Sequence, residues 1–229
     1  MTIPRTVPSG ISGGLSRCFA IVALSALAGG CAQTGPLLTG VVTADSGPEG
    51  GYHDMRAEDI PRNLTVTRKG RVIAAQLPMA LETGDELDSG ANATAIIRFP
   101  EGHEVFVLPR SRVRVGSIFA YFGELIVRAK GLFSVETQFV TAGVEGTEFW
   151  VKLEKDQDAA VGVTEGRVRL SSKSGLWTPV LVKENDVYTL RGGEPPRFEK
   201  ERMATEFRQK LRTIQRLILL PQRLPPRRY

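Results

Sequence analysis

The sequence predicts an all-β body of short strands, set between a flexible N-terminal tether and a C-terminal amphipathic helix. Three observations carry that expectation. From Asn63 to about Arg191 apolar residues recur at a period of two, and no helix-period run of ten residues interrupts them. Strand-like runs repeatedly follow a glycine, at Gly102, Gly123, Gly131, Gly146 and Gly166. Beyond Pro195 and Pro196 the apolar period becomes that of a helix.

The N-terminal 30 residues read as an address. They contain no acidic residue but carry Arg5 and Arg17, followed by the apolar run `CFAIVALSALAGG`. That run is short of the roughly 20 residues a membrane helix needs and suits the apolar core of a signal peptide. It ends in `LAGGC`, where Leu27, Ala28, Gly29 and Gly30 before Cys31 resemble a bacterial lipobox. The resemblance implies a diacylglycerol on the Cys31 sulfur and cleavage that makes Cys31 the first residue. Ala32 in place of aspartate implies anchoring to the outer membrane, on the periplasmic side. Several acyl chains, at roughly 0.8 kcal/mol per buried CH₂, make such an anchor stable.

Residues 31–60, rich in Gly, Pro and small side chains, read as a flexible tether behind that anchor. Cys18 and Cys31 are the only cysteines, so the body has no internal disulfide and no thiolate metal cluster.

The β body is expected over residues 61–194. `LTVTRKGRVIA` reads as a hairpin turning at Lys69-Gly70. `TAIIRF` places Ala95, Ile97 and Phe99 on one face, and `EVFVLP` is continuously apolar, as in a strand covered on both faces. `SRVRV` and `GRVRLSS` alternate cleanly. In `TEFWVKLE`, Thr147, Phe149, Val151 and Leu153 share one face, with Glu148, Trp150, Lys152 and Glu154 opposite. Gly146 is expected to supply a turn that a side chain would obstruct. The uneven glycine spacing supports stacked turns but not a strict solenoid.

Catalytic patterns are absent from the sequence. His53 and His103 lie fifty residues apart, and `HEVFV` lacks the second histidine of a zinc-protease helix. No dinucleotide, phosphate-loop or nucleophile-elbow spacing occurs. Asp85, Glu101 and Glu104 read as solvated turn residues or backbone caps. The expectation is therefore a non-enzyme without metal or cofactor.

`LETGDELDSGANATAIIRFPEGHEVFVLPRSRVRV`, with `GTEFWV` and `VTEGRVRL` after it, resembles the FecR domain of bacterial envelope proteins. The shared residues are Gly84-Asp85, Gly90, a strand ending at Phe99, Gly102, Pro109, Ser111, Gly146-Thr147-x-Phe149 and Glu165-Gly166-x-Val168, within roughly Leu64 to Leu190. The resemblance implies an all-β periplasmic module, rolled or helically stacked. Its namesakes relay ferric-siderophore signals from an outer-membrane receptor to a cytoplasmic sigma factor. Only 17 residues precede the apolar run here, so the anti-sigma segment of those regulators is not expected.

Residues 195–229 read as a basic amphipathic helix with a Pro/Arg tail. Met203, Phe207, Leu211, Ile214 and Ile218 form one stripe, and from Arg197 onward there are ten Lys/Arg against three Asp/Glu. That balance accounts for the net charge of +5, since residues 31–196 carry 18 basic and 22 acidic groups. The stripe is expected to dock on the β body. Arg208, Arg212 and Arg216 are candidates for contact with an anionic surface or partner. Nucleic acid is not expected as a partner of an exported protein.

The sequence thus reads as a lipid-anchored envelope protein whose β module binds an envelope protein partner, in sensing or signal relay. The alternative is a scaffold in polysaccharide or secretion machinery.

Overall fold

The computed structural model describes residues 35–44, 51–154, 158–191 and 194–198, together with Gln209, Arg212, Thr213, Gln215 and Arg216. All lie in the second of the two units, residues 1–32 and 33–229, into which the chain divides. The signal segment and Cys31 fall outside the described residues.

Within residues 35–198, the described residues form eighteen strands and a four-residue helix, in order: β1 (Leu37–Ala44), β2 (Tyr52–Asp54), α1 (Ile60–Asn63), β3 (Leu64–Arg68), β4 (Arg71–Ile73), β5 (Met79–Ala80) and β6 (Glu86–Ser89). Then come β7 (Thr94–Arg98), β8 (Glu104–Val107), β9 (Arg112–Arg114), β10 (Ile118–Arg128), β11 (Leu132–Glu136) and β12 (Val140–Glu145). The last are β13 (Glu148–Leu153), β14 (Ala159–Glu165), β15 (Arg167–Ser172), β16 (Val180–Lys183), β17 (Val187–Leu190) and β18 (Arg197–Phe198). The all-β expectation holds, and β3 and β4 form the hairpin expected at Lys69-Gly70.

The strands make two sheets that share one member. The first runs β2-β1-β7-β8-β10-β13-β14-β17-β18, with β5 also on β1. The second runs β4-β3-β6-β9-β10-β11-β12-β15-β16. Only the β10–β11 pair is parallel among these. Strand β10 belongs to both: its first half pairs with β9, and Gly123 to Arg128 pair with β13.

Period-two alternation fills the space between the sheets. Ala95, Ile97, Val105, Val107, Leu125, Val127, Phe149 and Val151 from the first sheet join Leu87, Val113, Val135, Val168 and Leu170 from the second in one core. `EVFV` is covered on both faces as expected, since Phe106 belongs to a second apolar cluster with Ile96, Ile126 and Trp150. Trp150, placed by alternation among charged neighbours, is therefore buried too.

Two boundaries differ from the sequence reading. The tether expected over residues 31–60 contains β1, whose Leu38, Val41 and Val42 are fully buried and which pairs with β7. Its strand was obscured because both faces are covered, which removes alternation, and because Gly, Pro and Ser flank it on either side. At the other end, Arg197 and Phe198 pair with Thr189 and Tyr188 as a strand instead of opening the helix. Met203, Phe207, Arg208, Leu211, Ile214 and Ile218 lie outside the described residues; Gln209, Arg212, Thr213, Gln215 and Arg216 have helical backbone.

The family-like motifs sit where the chain passes between sheets. Thr147 stands between β12 of the second sheet and β13 of the first. Its buried hydroxyl donates to the Glu145 and Arg167 carbonyls at 3.2 and 2.9 Å, and accepts from the Arg167 N–H at 3.4 Å. Arg167 follows Gly166, where β14 of the first sheet gives way to β15 of the second. Ser111 repeats the arrangement. Its hydroxyl reaches the Pro109 and Glu124 carbonyls at 3.3 and 3.1 Å and accepts from the Glu124 N–H at 2.8 Å, and Glu124 follows Gly123. A hydroxyl on one crossing strand thus clasps the residue after a glycine on the other, and the loose glycine-then-strand pattern includes these corners.

The corners rank the glycines. Gly146 has φ +59 with nothing within 4 Å of an added Cβ. Gly166 has φ +85, and its Cβ would meet Thr147 Oγ1 at 2.9 Å and the Gly146 carbonyl oxygen at 3.0 Å. Gly146→Val should therefore cost about 1–2 kcal/mol from backbone strain alone. Gly166→Val should cost more, because crowding is added to strain. Denaturant midpoints of the two variants check the order; equal values would show that the Gly166 corner has room.

Candidate interaction surface

The residues singled out by sequence fall into the scaffold. Gly84 (φ +95) turns the chain into β6 and donates its N–H to the Val115 carbonyl at 2.8 Å. Asp85, expected as a solvated turn residue or cap, is buried. Its carboxylate accepts from Arg68 Nε at 2.9 Å and Nη2 at 2.7 Å, and from the Glu82 N–H at 2.8 Å. Arg68 also donates to the Ala80 carbonyl at 2.9 Å. The hydrogen bond to Asp85 raises the Arg68 pKa, so the guanidinium is permanently charged. Capping holds for Asp85, but solvation does not, because a buried carboxylate needs a cation and N–H donors around it.

Glu104 also departs from the turn reading. It lies on β8, between Arg98 at 2.8 Å and Arg128 at 3.7 Å. Glu101 is an exposed turn residue as expected, and Gly102 (φ +88) closes the β7–β8 turn. Phe149 is fully buried in the core. Of Asp85, Glu101, Glu104 and Phe149, only the Glu101 side chain is exposed.

What does face solvent is the outer side of the second sheet. Register places Glu86, Arg114, Phe119 and Glu136 side by side on β6, β9, β10 and β11. Phe119 meets Tyr121 edge to face at 5.0 Å between centroids. Arg114 lies 4.9 Å and Lys173 5.2 Å from the Phe119 ring centroid, and Arg112 lies 5.5 Å from that of Tyr121. Carboxylates hold the cations in place: Arg112 donates to Glu86 at 2.7 Å and Lys173 to Glu136 at 2.7 Å, and Tyr121 donates to Glu86 at 2.9 Å. The exposed Tyr121 ring and the half-buried Phe119 ring under three cations form a partly apolar, partly charged patch, whose aromatics and arginines are residue types enriched in protein contact surfaces.

A cleft adjoins the patch. It encloses about 490 Å³ and is lined by Phe99, His103, Leu132, Phe133, Ser117 and Ser134 among others. Ser117 also donates to Glu136 at 3.1 Å, which joins cleft and patch. His103 is buried; its ring lies 4.8 Å from Phe133, and its Nδ1 accepts the Lys130 N–H at 3.0 Å. Leu132 at the rim is 80% exposed, an apolar side chain left in water.

Sequence reasoning missed the patch. Its one signal was `IFAYF`, where Phe119 and Tyr121 occupy the parity opposite the buried Ile118 and Ala120. Among the described residues no group of three or more His, Cys, Asp or Glu is placed to hold a metal.

The patch carries a pH signature. Hydrogen bonds from Arg112 and Lys173 hold the Glu86 and Glu136 carboxyls below the ordinary glutamate value of 4.5. A carboxylate whose pKa is depressed by folding adds stability above the unfolded value and loses it as pH falls through the folded one. The denaturation midpoint should therefore drop as pH falls below 4.5, and this fall should flatten in Arg112→Gln with Lys173→Gln. An acid limb unchanged in that double variant would place the titration elsewhere.

Fold and surface together define a two-sheet β module, antiparallel except for β10–β11, with a solvent-facing patch of aromatic and charged side chains. Residues 85–169 match the family model described as FecR protein, so the stretch from Asp85 to β15, with both hydroxyl–glycine corners, is FecR-like. Two crystal structures of a candidate anti-sigma factor from Parabacteroides distasonis ATCC 8503 overlap the chain with TM-scores of 0.43 and 0.42 at 17% identity. Each overlap covers 50% of this chain and 57% of the other, so the chain matches little more than half of that protein's length. No curated protein matches the sequence.

Proposed function

We propose that this protein is a non-enzymatic, lipid-anchored component of the cell envelope whose FecR-like module contacts a protein partner in signal relay. The observation that carries the reading is the FecR match over residues 85–169. Its motif residues are spent on corners, turns and a buried ion pair, which leaves the Phe119–Tyr121–Arg112–Arg114–Lys173 patch as the contact element. Cys31 is the lipidated residue in this reading, and periplasmic placement at the outer membrane follows from it.

Site-specific photocrosslinking in intact cells tests the contact. A photoreactive residue at Tyr121 should give a discrete protein adduct, whereas one at Val72, 73% exposed on β4, should not. Equal patterns at both positions would remove the patch from the account, and adducts with polysaccharide alone would support the scaffold reading instead. The anchor is tested separately: labelled palmitate should enter the wild type but not Cys31→Ala, and label in both would refute it.

A further inference from the structure

The cleft beside the patch is built where β10 and β11 part. Among the described residues, β11 pairs with β12 along its whole length but with β10 only at Val135 and Glu136. No strand therefore pairs with Leu132, Phe133 and Ser134 on the β10 side. The cleft is bounded by these three residues, by Gly116 and Ser117 before β10, and by the β7–β8 turn. That turn is tight: the Phe99 N–H donates to the His103 carbonyl at 2.9 Å, and the Gly102 N–H to the Phe99 carbonyl at 2.9 Å. It sets the Phe99 and His103 rings against Phe133, at 5.2 and 4.8 Å between centroids. The three rings make one aromatic wall, which the exposed Leu132 extends to the rim.

His103 is the informative member of that wall. It is only 4% exposed, and a polar group buried to this degree needs hydrogen-bond partners. Its Nδ1 accepts the Lys130 N–H at 3.0 Å, so the ring hydrogen sits on Nε2. Among the described residues no group accepts that hydrogen, and Nε2 is not sealed off from the cleft that the ring lines. A donor is thus held at an aromatic wall, facing an opening. Ser134 adds a half-buried hydroxyl on the β11 side. The charged side chain on the described lining is Glu101, a carboxylate at the exposed mouth.

The volume of about 490 Å³ falls within the roughly 300–1,000 Å³ of small-molecule sites, which combine apolar walls with a few placed polar groups. We propose that the cleft binds a neutral, planar, apolar small molecule through a carbonyl-type oxygen. That oxygen accepts the His103 Nε2 hydrogen, while the flat body of the ligand packs on Phe133 and Leu132. An anion is disfavoured, because Glu101 stands at the mouth and no lysine or arginine is among the described lining residues. This ligand is distinct from the protein partner of the patch, and either reading stands if the other fails.

Acetophenone serves as the probe and benzoate as its anionic counterpart. Added to the full-length protein at millimolar concentration, acetophenone should give saturable NMR shifts at the Leu132 methyls, the Ser134 amide and the His103 ring nitrogens. Val72, on β4, should not respond. Benzoate should bind more weakly. His103→Phe keeps an aromatic ring but removes the donor, and should weaken acetophenone by about fivefold, as the loss of one hydrogen bond implies. Leu132→Asp alters a side chain that is already in water, so it leaves the fold intact, and it should weaken acetophenone by a similar factor. It decides the matter if His103→Phe does not fold. A wild type without saturable shifts would overturn the proposal. So would unchanged affinity in folded His103→Phe or in Leu132→Asp, or tighter binding of benzoate than of acetophenone.

Discussion

Gly123→Ala should be among the most damaging single substitutions in the module, costing at least about 3 kcal/mol through backbone strain and overpacking combined. Strand β10 passes from one sheet to the other at this residue, with φ +94. A Cβ there would overlap the Ser111 hydroxyl oxygen and the Ser111 Cα. Side-chain rotation cannot relieve a clash with backbone, and Ser111 is itself fixed by the hydroxyl clasp on Glu124. A domain stable by about 5–15 kcal/mol loses a large share of its margin to such a change. The denaturant midpoint of Gly123→Ala should fall sharply; a midpoint equal to wild type would mean that β10 does not turn the corner as described.

Asp85→Ala should come next, at about 2–3 kcal/mol, because it strips Arg68 of its two strongest acceptor contacts and leaves the Glu82 N–H without the Asp85 carboxylate. Arg68 keeps the Ala80 carbonyl and a 2.9 Å contact with Glu82, and its side chain is 25% exposed, which holds the loss below that of a fully buried pair. Asp85→Asn preserves the shape and some acceptor capacity and should cost less. Chemical denaturation of the two variants checks the order. If Asp85→Ala matched wild type, the ion pair would contribute nothing net, as exposed pairs often do.

Local pattern showed the β body in the sequence, and it did so best where one face of a strand is wet. Alternation placed Phe149, Val151 and Val168 in the core, and the Lys69-Gly70 hairpin was legible from its turn chemistry. Strands covered on both sides were harder to read. β1 was hidden inside a Gly/Pro-rich stretch, and Trp150 was assigned to the charged face, because alternation disappears when the second face is also buried. Charge roles were legible least of all. Asp85 and Glu104 differ from the exposed Glu101 only in which strands the fold brings beside them, and Arg68 stands 17 residues from its partner. The proposed contact patch has the same origin. Phe119, Arg114 and Lys173 come from three separate strands or turns, so no contiguous motif announces them.

The central claim is that the FecR-like motifs build the module while the Phe119 patch makes its contact. Comparing thermal stability with Tyr121 crosslinking yield in two variants tests it most directly. Phe119→Ala with Arg114→Gln should lower the adduct yield in cells at an unchanged melting temperature. Gly166→Ala should lower the melting temperature yet keep the adduct at temperatures where the variant remains folded. Loss of adduct in folded Gly166→Ala, with full yield in the patch variant, would contradict the account.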